Sequence, residues 1–184
     1  MEFTLIRHPL SPPSAIDSIC VDVARLDGAK LALRYRITGD IAAISIPGLV
    51  TPGRAENLWQ TTCFEAFLKL PDSDYYVEFN FSPSTRWAGY VFDGYRKARQ
   101  DFTHSSMPRI DMAVGRNSFE LGVTLDLTGN RDIWRTSDVF IGLSAVIEMR
   151  SREKSYWALA HPPGAPDFHH RDCFAGILRA PERP

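Results

Sequence analysis

With 184 residues, 44% of them hydrophobic and 23% charged, the chain has the size and makeup of one globular domain with a full core. Its 21 basic and 22 acidic side chains leave a net charge of -1. The basic residues are scattered, so nothing draws the chain to nucleic acid or an anionic membrane surface, and no window approaches the ~20 apolar residues of a membrane span.

The opening Met1-Glu2-Phe3-Thr4-Leu5-Ile6-Arg7-His8-Pro9 lacks the cationic leader and apolar run of a secretory signal. Three cysteines (Cys20, Cys63 and Cys173) are an odd number. Together these give the expectation of a reduced, cytoplasmic protein. Period-two patterning then dominates. Ala15 to Leu26 alternates, with Ile16, Ser18, Cys20 and Asp22 against Ile19, Val21 and Val23, and Asp27-Gly28 is a turn signal. Lys30 to Thr38 sets Leu31, Leu33, Tyr35 and Ile37 against Arg34 and Arg36. Gly39-Asp40 closes that hairpin, and Ile41 to Ile46 reads as the start of another strand.

After a loop with Pro47, Gly48, Pro52 and Gly53 come the two most informative segments. Leu58-Trp59-Gln60-Thr61-Thr62-Cys63-Phe64-Glu65-Ala66-Phe67-Leu68 carries Glu65 inside an otherwise apolar strand, six residues after Trp59. Alternation puts Cys63, Glu65 and Phe67 on one face and Phe64, Ala66 and Leu68 on the other. Tyr75-Tyr76-Val77-Glu78-Phe79-Asn80-Phe81-Ser82-Pro83 carries Glu78 and Asn80 on one face, opposite Val77, Phe79 and Phe81. Acids and amides inside strands are costly unless paired or met by a ligand. If these two strands pair, Glu65, Glu78 and Asn80 converge. Arg86, in the following Ser82-Pro83-Ser84-Thr85-Arg86-Trp87 bend, has a planar fork suited to hydroxyls or to a carboxylate. Glu65, Glu78 and Arg86 read equally as a structural network, with Arg34 as another partner for Glu65, and Trp59 taken alone reads first as core or packing rim.

Further strands are expected at Trp87 to Tyr95, Pro108 to Val114 paired with Ser118 to Leu125 across Arg116-Asn117, Val139 to Met149, Ser155 to Leu159, and Phe174 to Leu178. Only Thr128 to Ser137 has room for a helical turn. Many short strands at near-regular spacing predict an all-β fold, an antiparallel β-sandwich, as a single domain over 1–184. The C-terminal run from Tyr156 to Cys173 gathers His161, His169 and His170 with Asp167, Asp172 and Cys173, which keeps a zinc site open as an alternative. Its spacing fits no standard ligand motif, and three prolines favour capping roles for the histidines. No nucleophile elbow, phosphate loop or dinucleotide fingerprint occurs, so a non-catalytic protein is expected. Glu65 and Glu78 as a glycosidase pair is a third reading.

Leu58-Trp59…Cys63-Phe64-Glu65-Ala66-Phe67, Tyr76-Val77-Glu78-Phe79-Asn80-Phe81-Ser82-Pro83 and Trp87…Tyr90…Phe92-Asp93-Gly94-Tyr95 resemble a bacterial DOMON-like domain, a group similar to the family 9 carbohydrate-binding modules. Tyr156-Trp157-Ala158-Leu159-Ala160-His161-Pro162…Asp167-Phe168-His169 resembles the end of such proteins. The resemblance, spanning about Leu31 to Leu178, implies a β-sandwich whose pocket takes sugars in some relatives and haem in others. It also implies that Trp59 and Trp157 clamp a sugar or glycan end while Glu65 and Arg86 hold its hydroxyls. Asn80 and Glu78 stand beside them as candidate contacts. For haem, Met107, Met112 and Met149 are the methionines available.

Overall fold

The computed structural model describes residues 1–26, 29–103, 106–127 and 137–180. The Asp27-Gly28 turn signal and nearly all of the segment Thr128 to Ser137 lie outside the described residues. Within them the chain forms thirteen strands: β1 (Glu2–Arg7), β2 (Ile16–Leu26), β3 (Lys30–Gly39), β4 (Gly53–Arg54), β5 (Cys63–Lys69), β6 (Tyr76–Phe81), β7 (Arg86–Phe92), β8 (Gln100–Asp101), β9 (Arg109–Val114), β10 (Ser118–Asp126), β11 (Val139–Glu148), β12 (Lys154–Ala158) and β13 (Gly176–Leu178). Short 3-10 turns at Ile41–Ala43, Leu58–Gln60 and Arg171–Cys173 interrupt them. No helix among the described residues is long and apolar enough to cross a membrane.

The strands follow one hydrogen-bonded path, β4-β7-β6-β5-β11-β12-β1-β2-β3-β10-β9, with β13 on β11 and β8 on β7. Pairing is antiparallel except between β4 and β7, which run parallel through Gly53 and Arg86. The expected all-β character is met, but the path is continuous, because β1 pairs with β2 through Glu2 to Leu5 and with β12 through Ile6 and Arg7. The sheet therefore curls at β1, so that the β2-β3-β10 limb covers the β5-β6-β11 limb. Their inner faces share one core: the Tyr35 ring lies 5.1 Å from Phe64, and Phe64 stacks on Phe119 at 5.8 Å. The buried Tyr35 hydroxyl donates to the Glu65 carbonyl at 2.7 Å, tying the limbs together with a satisfied polar group.

Alternation accounts for these faces. Leu31, Leu33, Tyr35 and Ile37 of β3 all point into the core, each at most 2% exposed. In β2 the alternation slips. A bulge between Ile16 and Ser18 turns Ile16 into the core along with Ile19, Val21 and Val23, rather than onto the Cys20 face as alternation alone predicts. One further expectation is corrected. Ile41 to Ile46 is not a strand: Asp40 accepts a hydrogen bond from the Ala42 amide and starts a 3-10 turn, after which Ile44 makes a single bridge to Met149. The opening residues form β1, whose Leu5 is buried and whose Phe3 packs on the core.

β5 and β6 are buried on both faces. One face meets the shared core. The other carries a second apolar cluster of Phe67, Tyr76, Ala88, Tyr90 and Phe92, against which Leu58, Phe168 and Phe174 pack from the connecting segments. That second face, away from the main core, holds the cavity described next.

Candidate functional site

β5 pairs with β6 in antiparallel register that sets Glu65 opposite Asn80 and Phe67 opposite Glu78. β11 flanks β5 with Ser144 opposite Glu65, and β12 continues the face with Tyr156 opposite Val146. On the other side β7 contributes Tyr90 opposite Glu78. These pairings bring side chains from five strands onto one face. Three connections complete the walls: the turn bearing Asn57 and Trp59, the β7–β8 connection bearing Arg96 and Arg99, and the segment before β13 bearing Pro166, Phe168 and His169. The result is a cavity of about 540 Å³, within the range of small-molecule sites. Trp59, Tyr90, Phe92, Tyr156 and Phe168 give it aromatic walls. Asn57 adopts a left-handed conformation (φ 59), which Asn tolerates, and starts the 3-10 turn that leaves Trp59 50% exposed at the cavity.

The polar part of the cavity is carboxylic. Glu65 is 3% exposed and Glu78 6%. Ser144 donates its hydroxyl proton to Glu65 Oε2 at 3.1 Å, and the Asn80 amide donates to Glu78 Oε1 at 2.6 Å. Burial, and then the neighbouring Glu78, push the Glu65 carboxyl up to about 8 against the opposing Ser144 hydrogen bond. Burial also raises Glu78, with Asn80 and the more distant Arg96 and Arg99 pulling the other way. His169 stands 3.7 Å from Glu78 Oε2 and shares a 2.8 Å hydrogen bond with the Tyr76 hydroxyl through Nδ1. Burial, then Arg96, lower its imidazole to about 4, so the ring is neutral at pH 7.

The arginines at the cavity each have a partner outside it. Arg96 donates to Asp167 at 2.8 Å, and Tyr95 donates to the same carboxylate at 2.6 Å. Partial burial would raise Asp167, but these two hydrogen bonds hold it below its ordinary value. Arg99 lies 4.6 Å over the Tyr90 ring and 3.5 Å from Glu56, which also accepts the Tyr90 hydroxyl proton at 2.8 Å.

The residues singled out from the sequence divide cleanly. Trp59, Glu65 and Glu78 line the cavity, and Asn80 lies just behind it, 1% exposed, holding Glu78. Arg86 does not line it: at the start of β7 its guanidinium lies over Gly53, where a Cβ would come within 2.9 Å of Nη1. Neither Arg86 nor Arg34 pairs with Glu65, and Arg34 lies 4.0 Å from Glu120 on the other limb. Trp157 is 5% exposed in the main core and donates to Ser155 Oγ at 3.0 Å. The reason is register: Trp157 pairs with the inward Ala145, whereas Tyr156, one residue earlier, faces the cavity.

The histidines do not assemble. His161 contacts the Ile6 carbonyl at 2.7 Å and the His8 ring edge-on, while His170 accepts the Asp172 amide proton in a local cap. His169 alone of the three reaches the cavity. Among the described residues no three His, Cys, Asp or Glu side chains gather as a metal would require. Sequence reasoning missed Tyr90, Phe92, Arg96, Arg99, Tyr156 and Phe168. The first two were legible, since alternation in β7 sets them on the face of Glu78; the others depend on loops and register.

No family model matches the chain, and no curated protein matches it. Solved structures share its fold. One, from Bacteroides uniformis ATCC 8492 and assigned as a carbohydrate-binding protein, aligns over 98% of this chain and 86% of its own at TM-score 0.67 and 13% identity. A family 9 carbohydrate-binding module from Caldicellulosiruptor kristjanssonii, solved with glucose, aligns over 95% of this chain and 81% of its own at TM-score 0.56 and 11% identity. The same module with cellotriose covers 95% and 80% at TM-score 0.56 and 10% identity. At these identities the likeness is one of fold.

Proposed function

We propose that the chain is a carbohydrate-binding domain that takes a small sugar or the end of a glycan into this cavity without chemically altering it. The observation that carries the reading is the meeting of aromatic rings and buried carboxyls in one cavity of about 540 Å³. A pyranose presents an apolar face to an aromatic ring and hydroxyls at its edge, the pairing this cavity supplies. The fold it shares with sugar-binding modules supports the same reading, as does the sequence resemblance to DOMON-like domains.

In this reading Trp59 is the exposed platform, and Tyr156 and Phe168 take the part that the sequence resemblance gave to Trp157. Glu65 and Glu78 receive or donate hydrogen bonds at the sugar edge. Arg99 takes the guanidinium role in place of Arg86. Asn80 orients Glu78. Calorimetric titration with glucose and cello-oligosaccharides tests this directly. Trp59→Ala is expected to weaken binding at least tenfold, corresponding to about 1.4 kcal/mol. Unchanged affinity in that variant would contradict the assignment.

One observation favours a second reading. A carboxyl raised to about 8 beside another carboxyl suits a general acid, so glycoside hydrolysis competes with simple binding. Release of nitrophenol from aryl glycosides, lost in Glu65→Gln, would establish hydrolysis; no release with sugar binding intact supports the binding reading.

A further inference from the structure

Two carboxyls in a cavity ordinarily face a lysine or arginine, because burying an anion without a counter-charge is costly. Here they do not. Among the described residues no lysine or arginine nitrogen comes within 4.0 Å of the Glu65 or Glu78 carboxyl. The polar groups that touch them are neutral: the Ser144 hydroxyl, the Asn80 amide and the His169 imidazole. The cations that share the cavity are engaged with other acids, Arg96 with Asp167 and Arg99 with Glu56.

Glu65 itself is incompletely satisfied. Its Oε2 accepts from Ser144, and among the described residues no protein donor meets the other oxygen, although the side chain is 3% exposed and lines the cavity. A carboxyl oxygen that faces a cavity without a protein partner is free to meet a ligand's donor once the group ionises. Around it stand five aromatic rings, Trp59, Tyr90, Phe92, Tyr156 and Phe168. Carboxylates together with electron-rich aromatic faces form the pairing that recognises an ammonium group, whose three N–H donors suit two carboxylates at once.

We propose that the sugar bound here carries a protonated amine, as an amino sugar does, with its ammonium against Glu65 and Glu78 and its ring on the aromatic wall. This deepens the carbohydrate reading of the same cavity and rests on it. The ammonium supplies a counter-charge in direct contact with the pair, where Arg96 and Arg99 act only from farther off. A proton is displaced as it binds. In the empty cavity burial and mutual repulsion keep a proton on the carboxyl pair, with Glu65 at about 8, and an ammonium beside the pair favours its ionised form. The other groups facing the pair are Cys63, Tyr76, Tyr90, Tyr156 and His169, with Arg96, Arg99, Asp167 and Glu56 farther out. Of these, His169, with a value of about 4, stays neutral through the pH range of the test.

The test is calorimetric titration of the full chain with glucosamine, N-acetylglucosamine, glucose and n-propylammonium at about pH 6.5, repeated in buffers of different ionisation enthalpy. Glucosamine is expected to bind at least about tenfold more tightly than glucose or N-acetylglucosamine, releasing up to about one proton per molecule bound. In Glu65→Gln, which keeps the side-chain shape, the preference for glucosamine over glucose should fall to about one. A variant that fails to fold is recognised by its melting curve, and proton release by the unaltered protein then decides. Glucose bound as tightly as glucosamine, or glucosamine bound with no proton release, overturns the inference and leaves the carbohydrate reading standing. Binding of n-propylammonium but of no sugar upholds the ammonium contact and sinks the carbohydrate reading. Binding of neither defeats both.

Discussion

Glu65 shows what a single buried carboxyl does to the whole chain. Unfolded, it titrates near 4.5, and folded, at about 8. Between those values the folded state holds a proton that the unfolded state has released, so stability falls as pH rises, at most by about 1.4 kcal/mol per pH unit. His169 acts oppositely lower down. Its value drops from 6.5 to about 4, so the unfolded state binds the extra proton and stability rises with pH across that span. The two slopes oppose each other until about pH 6.5, where that of His169 ends. Urea denaturation between about pH 6.5 and 8 should therefore show falling stability, and Glu65→Gln should flatten the slope. An unaltered slope in the variant would contradict the placement of the proton. The two indoles make a second contrast at this scale. Trp157→Ala removes a core side chain and should cost about 3–5 kcal/mol in the same denaturation measurement, whereas Trp59→Ala, at a half-exposed ring, should cost less than about 0.5 kcal/mol. Trp59, Glu65 and Glu78 were legible because acids in apolar strands and a tryptophan at a strand entry break the local pattern. Tyr156 was not, because choosing between adjacent aromatics needs the register of β12 on β11.

At the scale of elements, the strands supply the carboxyls and the rings of Tyr90, Phe92 and Tyr156, and three connections supply both arginines with Trp59 and Phe168. The β7–β8 connection turns tightly, with Arg96 and Ala98 both left-handed (φ 53 and 51). Asp167 fastens it to the segment before β13 by accepting from Tyr95, Arg96 and the His169 amide. The Tyr95 and Arg96 contacts span about seventy residues of sequence, Arg96 and Asp167 being separated by 71 positions. That is why Arg86, near in sequence to the strand acids, was the expected guanidinium and Arg96 and Arg99 were not. Asp167→Ala should loosen both connections together. Hydrogen exchange of residues 94–99 and 160–173 is expected to quicken, while global stability drops by less than about 1 kcal/mol, since the Arg96 half of the pair is half-exposed. Quickened exchange in only one of the two segments would show that Asp167 does not couple them.

For the whole molecule, the curl at β1 gives the sheet two separate duties. The inner faces of both limbs close on the main core, and the outer face of β5, β6, β7, β11 and β12 carries the cavity. The all-β class was legible from period-two alternation, which reports which residues share a face. The continuous path through β1, the parallel β4–β7 pair and the bulge in β2 were not, because alternation says nothing of which strands meet. This separation lets the cavity residues change while the core persists, in keeping with a fold shared at 10–13% identity. The most direct test is a two-dimensional NMR titration with glucose, cellotriose and glucosamine. Shifts confined to the Trp59 indole, the backbone of β5, β6 and β12, and the connections bearing Arg99 and Phe168 are the predicted result. No shifts with any of the three, or shifts on the outer face of β2, β3 and β10, would contradict it.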